Sequence, residues 1–141
     1  MHSPNGADSK RQREIAELIL KEDADFVLLN EFRQDSCHHA HRTKEVALQS
    51  SHPVIIMGDM NDFNRSALLD TFAINGFRDS WWEGGNGYGH TFHSGWMRLR
   101  IDHILHSEQL VLKSIKVIGT NLSDHNPVVA GFSKKMKDEK A

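Results

Sequence analysis

Three acidic residues stand beside apolar runs that have the length and composition of buried strands. Glu31 follows the run 26–29, Asp59 follows the run 54–57, and Asp102 lies within a later apolar segment. Ligands in open α/β sheets bind at the carboxyl ends of the strands, and carboxylate oxygens are the ligands that Mg²⁺ prefers. Each acid alone could simply be a polar residue that ends a strand. Together the three predict a shared cleft that supports metal-assisted chemistry.

The run Gly58-Asp59-Met60-Asn61-Asp62 is the sharpest local signal. A glycine allows a tight turn, so that Asp59 and Asn61 can both project from the strand end into a cleft. A carboxylate two residues from a carboxamide offers a base or ligand beside a neutral donor for a phosphoryl oxygen. An Asx-rich turn without function is the alternative, because Asp and Asn favour turns in any case.

Two Asp-His dipeptides form the other candidate pair. One lies in the strand-like segment 100–105 and contains Asp102, and the other is Asp124-His125, ahead of an Asn-Pro turn. An aspartate close to a histidine can hold the imidazole in one tautomer and raise its basicity, which suits general base catalysis or stabilisation of phosphate charge. The alternatives are a half-exposed strand for the first dipeptide and a plain loop for the second.

The elements that must position these residues alternate between helix and strand. The pattern predicts helices over 9–22, 42–48 and 64–72, the last with Gly76 beyond its end, strands over 26–29, 54–57, 99–105, 110–118 and 128–132, and a glycine-rich loop over 84–89. Helices alternating with buried strands favour a layered α/β sheet, and the later, strand-rich half favours antiparallel pairing. We expect one domain over 1–133 and a charged tail over 134–141.

Composition narrows the class of protein. The chain has 141 residues, 38% of them hydrophobic and 26% charged, with a formal net charge of -2. These values fit one globular domain and leave no large basic field for binding nucleic acid, although a local patch stays open. The single cysteine, Cys37, excludes an internal disulfide. No apolar run is long enough to span a membrane, and localisation and oligomeric state stay open.

Four motifs, in order, resemble those of the endonuclease/exonuclease/phosphatase superfamily, which includes deoxyribonuclease I, exonuclease III and inositol-phosphate phosphatases. They lie at residues 26–31, 55–61, 100–105 and 123–128. The resemblance implies a two-sheet α/β sandwich like that of deoxyribonuclease I. It also implies a hydrolase that cleaves a phosphodiester or phosphomonoester by water attack, with Mg²⁺, or alternatively Mn²⁺, as cofactor.

The resemblance implies a role for each matching residue. Glu31 would bind the metal, with Asp124 as a second contributor; Asp59 would activate or position the water, Asn61 would orient the phosphate, and His125, supported by Asp102, would contact the scissile phosphate. Either Asp59 or His125 could be the general base. The substrate stays open between DNA, RNA, a lipid head group, an inositol phosphate and a nucleotide.

Two departures leave alternatives. The family's first strand and central block are not apparent, which predicts missing residues near 36–42 or an incomplete, non-catalytic copy of the fold that acts as a binding module. The run Cys37-His38-His39-Ala40-His41 offers soft and imidazole ligands, so a zinc site is a further alternative.

Overall fold

The computed structural model of the protein describes residue 50, residues 52–62 and residues 66–135. The elements in this part of the chain are β1 (Ile55–Asp59), α1 (Ala67–Ile74), β2 (Phe77–Asp79), α2 (Ser80–Gly84), β3 (Phe92–Ser94), β4 (Met97–Leu99), β5 (Asp102–Ser107), β6 (Leu110–Val117) and β7 (Val128–Lys134). The predicted elements before residue 50, Glu31, the cysteine-histidine run and the interval 36–42 lie outside the described residues.

Three antiparallel sheets organise the described residues. The largest has the strand order β1-β5-β2, while β3 pairs with β4 and β6 pairs with β7. This mixed α/β arrangement confirms the predicted fold class and the antiparallel pairing of the later half. In the described part of the chain β1 lies at the edge of its sheet, and its first residue, Ile55, is 38% exposed. Residues 55–57 thus lie in a strand as predicted, and Ile55 is more exposed than the buried strand predicted over 54–57 would have it.

The helix predicted over 64–72 begins and ends later than expected. Ser66 is its N-cap, because its side chain accepts a hydrogen bond from the backbone N–H of Leu69 at 3.2 Å. A serine at this position satisfies a backbone donor that has no partner within the helix. The chain leaves the helix at Gly76, which has a φ of +85°. This conformation suits glycine and confirms the predicted terminator.

The strand predicted over 99–105 is two strands, separated at Arg100 and Ile101. Ile101 is buried although it belongs to neither strand. The apolar pattern therefore continues across the break and looks like one strand in the sequence. The chain changes partners here, from β3 to β1, and nothing local in the sequence marks the change. The short elements β2, α2 and β3 were not predicted, because runs of three to five residues show too little periodicity. The last strand continues to Lys134, past its predicted end at Phe132.

A small core lies between α1 and the sheet. Its buried side chains are Ile56, Met60, Leu69, Phe72, Phe77 and Leu105. Phe72 and Phe77 meet edge to face, with ring centroids 5.9 Å apart, a geometry that aromatic pairs favour. This packing fixes β1 against β5, so that the polar residues at the end of β1 are held in place. No helix in the described residues is long and apolar enough to cross a membrane.

Candidate active site

The first two site residues meet through strand register. β1 and β5 pair antiparallel with Asp59 directly opposite Asp102. The backbone N–H of Met60 donates to the carbonyl of Ile101 at 2.9 Å, which continues the pairing beyond the strand end. Asp59 is buried at 6% exposure, and Asp102 is half-buried. Two of the predicted carboxylates therefore lie side by side where β1 ends and β5 begins.

The third residue, His125, places its imidazole between the two carboxylates. Its Nδ1 lies 2.9 Å from Asp102 Oδ2, and its Nε2 lies 3.8 Å from Asp59 Oδ2. His125 forms an isolated antiparallel bridge with Phe92, whose ring meets the imidazole at a centroid distance of 5.1 Å. The predicted pairing of Asp102 with His125 is thus present, although 23 positions separate the two in sequence.

Asn61 lies in the turn that immediately follows β1. Its backbone N–H donates to Asp59 Oδ1 at 2.8 Å, and its φ is +48°. Asparagine tolerates this left-handed conformation better than most residues. Gly58, with a φ of +145°, occupies a region that side chains rarely adopt. The turn therefore orients the Asp59 carboxylate and holds Asn61, half-buried, beside it.

The loop that carries His125 is itself held by side chains. The backbone N–H of His93 donates to the Asp124 carbonyl at 2.8 Å, and His93 Nε2 lies 3.2 Å from the Thr120 carbonyl. Asn126 Oδ1 accepts from the backbone N–H of Thr120 at 3.0 Å. The two His93 contacts join the loop to β3, and the Asn126 contact joins the two ends of the loop to each other, so the backbone that carries His125 is held in place.

The donor set fits a metal ion in part. One ligand atom from each of Asp59, Asp102 and His125 lies within 4.8 Å of the others. Two carboxylates supply the hard oxygen donors that suit Mg²⁺ and Mn²⁺, and the imidazole adds one nitrogen donor. Asp124 is not in this group; it is exposed and its Oδ1 accepts from Ser123 Oγ at 3.2 Å. Glu31 lies outside the described residues.

A buried ionic network beside the site was not predicted. Asp79 Oδ2 lies 2.9 Å from Arg100 Nη1 and 3.0 Å from His103 Nδ1. His103 Nε2 lies 3.1 Å from the carbonyl of Asp62. The network thus supports the end of the turn that holds Asn61. Arg100, a cation within an apolar strand pattern, was the only sequence signal for this network, because a buried arginine is rarely without a partner.

Asp79 stays ionised within this network. Burial acts to raise the pKa of the Asp79 carboxyl, but the hydrogen bond from His103 and the positive charge of Arg100 outweigh burial and hold that pKa below its ordinary value. Asp79 also accepts from the backbone N–H of Trp81 at 2.9 Å, which makes it the N-cap of α2. One carboxylate therefore joins a helix start to the strand that carries Asp102.

Comparison with known proteins identifies the family. Residues 2–125 match the sequence model of the Endonuclease/Exonuclease/phosphatase family. The chain belongs to this family. The predicted membership, made from four short motifs, is confirmed. No curated protein matches the chain.

Solved structures of the family share the fold. A family protein from Bacteroides vulgatus is 23% identical with a TM-score of 0.58, and the match covers 67% of this chain and 42% of that one. One from Leptotrichia buccalis is 22% identical with a TM-score of 0.58 and coverages of 74% and 47%. A mannosyl-6-phosphatase from Bacteroides thetaiotaomicron is 23% identical with a TM-score of 0.51 and coverages of 68% and 43%.

These likenesses support the deoxyribonuclease I-like α/β sandwich, of which the chain holds a part. The chain spans less than half the length of these relatives, between 42% and 47%.

Proposed function

We propose that the protein is a divalent-metal-dependent phosphoesterase that cleaves a phosphodiester or phosphomonoester by water attack. The observation that carries this proposal is the convergence of Asp59, Asp102 and His125, which come from three separate segments and bring their ligand atoms within 4.8 Å of one another. Phosphoryl transfer depends on positioning and charge neutralisation more than on covalent chemistry. The three side chains would provide the positioning, and a metal ion held by the carboxylates would provide the neutralisation.

The hydrogen bonds favour a division of roles. With Nδ1–H donated to Asp102, the imidazole of His125 turns its Nε2 toward Asp59, 3.8 Å from Oδ2. That nitrogen can accept a proton from water or, once protonated, stabilise negative charge on the phosphate. Asp59 positions or activates the attacking water, and Asn61, held by the turn, orients the phosphate. Either Asp59 or His125 can serve as the general base.

The same residues would hold the cofactor. Asp59 and Asp102 provide oxygen donors, and we propose Glu31 and Asp124 as further contributors, as the family resemblance implies. Bound Mg²⁺ or Mn²⁺ would neutralise phosphate charge and lower the pKa of bound water. The proposed substrate is a phosphate ester. Because one relative of similar fold is a mannosyl-6-phosphatase, hexose phosphates belong in the substrate panel beside nucleic acid.

The experiment measures hydrolysis by the purified chain. The panel is bis(p-nitrophenyl) phosphate, p-nitrophenyl phosphate, mannose 6-phosphate, and single- and double-stranded DNA and RNA. We expect activity that EDTA removes and that added Mg²⁺ or Mn²⁺ restores. Asp59→Ala and His125→Ala should each lower kcat by at least about 100-fold, the order of a lost general acid or base.

The matched control is Asp70→Ala, because Asp70 is an exposed carboxylate on α1 and lies outside the site. It should keep wild-type activity. Hydrolysis that survives both Asp59→Ala and His125→Ala would refute the proposal. A folded chain inactive on the whole panel with either metal would refute it too, and would favour the non-catalytic binding module.

A further inference from the structure

Thr91 is almost wholly buried beside the candidate active site, at 1% exposure. Its Oγ1 accepts two backbone hydrogen bonds, from the N–H of Ile101 at 3.2 Å and from the N–H of Asp102 at 3.1 Å. Buried backbone donors almost always find a partner. Here one side-chain hydroxyl serves two consecutive donors, and one of them belongs to a site residue.

The chain needs this acceptor because of the strand change at Arg100 and Ile101. The backbone leaves its pairing with β3 after Leu99 and enters its pairing with β1 at Asp102. The backbone N–H of Thr91 donates to the Leu99 carbonyl at 2.8 Å. Thr91 therefore contacts the chain on both sides of the change of strand partner. Its backbone N–H bonds to Leu99, before the change, and its hydroxyl bonds to Asp102, after it.

The other face of the same residue contacts the segment that carries His125. The Thr91 carbonyl accepts from the backbone N–H of Asn126, and the next residue, Phe92, forms the bridge with His125. A single buried threonine thus connects the backbone of Asp102 to the backbone next to His125.

We propose that Thr91 is a positioning residue whose hydroxyl sets the hydrogen bond between Asp102 and His125. The inference rests on the proposed function for its effect on catalysis. The geometric part, the control of Asp102 and His125 by the Thr91 hydroxyl, does not need activity to be tested.

The matched substitutions are Thr91→Val and Thr91→Ser. Valine keeps the shape of threonine and removes the hydroxyl acceptor. The N–H groups of Ile101 and Asp102 then lose their hydrogen bonds, and we expect the start of β5 to shift. A misplacement of about 1 Å can cost about 100-fold in rate. We expect Thr91→Val to lower kcat by about 10- to 100-fold with KM within about threefold. Serine keeps the hydroxyl and should restore kcat to within about threefold of wild type.

Ser107→Ala is the control for a general loss of strand stability. Ser107 lies at the opposite end of β5, and its Oγ accepts from the backbone N–H of Val54 at 3.0 Å. This substitution removes the same kind of bond from the same strand, away from the site. It should lower the unfolding temperature and leave kcat unchanged, so that a loss of strand stability alone is separated from the effect of Thr91→Val.

Two measurements read the geometry without activity. Amide hydrogen exchange should be at least about tenfold faster at Ile101 and Asp102 in Thr91→Val, and unchanged in Thr91→Ser and Ser107→Ala. Nitrogen chemical shifts at fixed pH should show His125 mainly as the Nδ1–H tautomer in wild type and as a mixture in Thr91→Val.

The outcomes separate the two proposals. Unchanged exchange at Ile101 and Asp102 in Thr91→Val overturns the role of the hydroxyl. Faster exchange with the wild-type tautomer and wild-type kcat overturns positioning. If the wild-type chain hydrolyses nothing, the proposed function fails while the tautomer comparison still decides whether Thr91 positions His125.

Discussion

Replacing Asp102 by asparagine tests the central contact of the candidate site. Both Asp102 oxygens face His125 Nδ1, at 2.9 Å and 3.2 Å. Asparagine has nearly the same shape and can still present its carbonyl oxygen to the imidazole. The change therefore removes the negative charge and leaves a neutral acceptor, with little effect on packing.

The magnitude follows from the kind of bond that is weakened. A hydrogen bond with a charged partner contributes about 1.5–3 kcal/mol, compared with about 1 kcal/mol for a neutral one. If the charge matters most when the imidazole takes up a proton, about 0.5–2 kcal/mol of stabilisation is lost in the transition state. At about 1.4 kcal/mol per tenfold change in rate, kcat should fall by about 2- to 30-fold. Loss of the Nδ1–H tautomer would increase the effect.

The assay is steady-state hydrolysis of the best substrate from the panel, with the metal at saturation. Asp70→Asn is the matched control, since it removes the same charge from the exposed face of α1. Urea unfolding of both variants checks that the fold is kept. A kcat for Asp102→Asn within twofold of wild type would refute the reasoning, because the contact with His125 would then contribute nothing to catalysis.

Two further predictions concern stability. Asp79→Ala should lower the free energy of unfolding, measured in urea, by about 3–5 kcal/mol, because it takes the carboxylate away from the buried guanidinium of Arg100. Asp79→Asn can still cap α2 and should therefore lose less. A loss under about 1 kcal/mol for Asp79→Ala would contradict this prediction. Burial lowers the pKa of His106 below its ordinary value of 6.5, and the charge of Glu83 only partly opposes it. The unfolded chain therefore binds more protons at this position, so the free energy of unfolding should fall as pH drops below about 6.5. The urea midpoint of His106→Gln should fall less than that of the wild type between about pH 7.5 and 5.5. An equal fall in both proteins would argue against this prediction.

The sequence predicted the local part of the site well. Asp59 and Asn61 were expected to project from a turn after a strand, and the turn is present with a left-handed Asn61. This worked because a strand end followed by glycine, aspartate and asparagine is a local pattern, decided by the backbone preferences of neighbouring residues. The terminator Gly76 was predictable for the same reason. The strand over 99–105 was predicted wrongly because a change of strand partner leaves no local mark.

The ionic network shows the limit of reading residues one at a time. Asp79, Arg100 and His103 are joined by contacts between β2, the strand change and β5. No spacing rule connects an aspartate in a three-residue strand to an arginine far along the chain. The role of Thr91 was equally hidden, because a buried threonine has no distinctive sequence pattern.

The residue types and their order determined the family and the kinds of donor and acceptor at the candidate site, because carboxylates, a carboxamide and an imidazole have the same donor and acceptor properties wherever they lie. Tertiary structure alone decided that Asp59 faces Asp102 and that His125 lies between them. The physical reason is that register is set when side chains on one face of a sheet pack into a common core. That choice depends on contacts between distant segments, so a site assembled from three of them becomes visible only after the chain has folded.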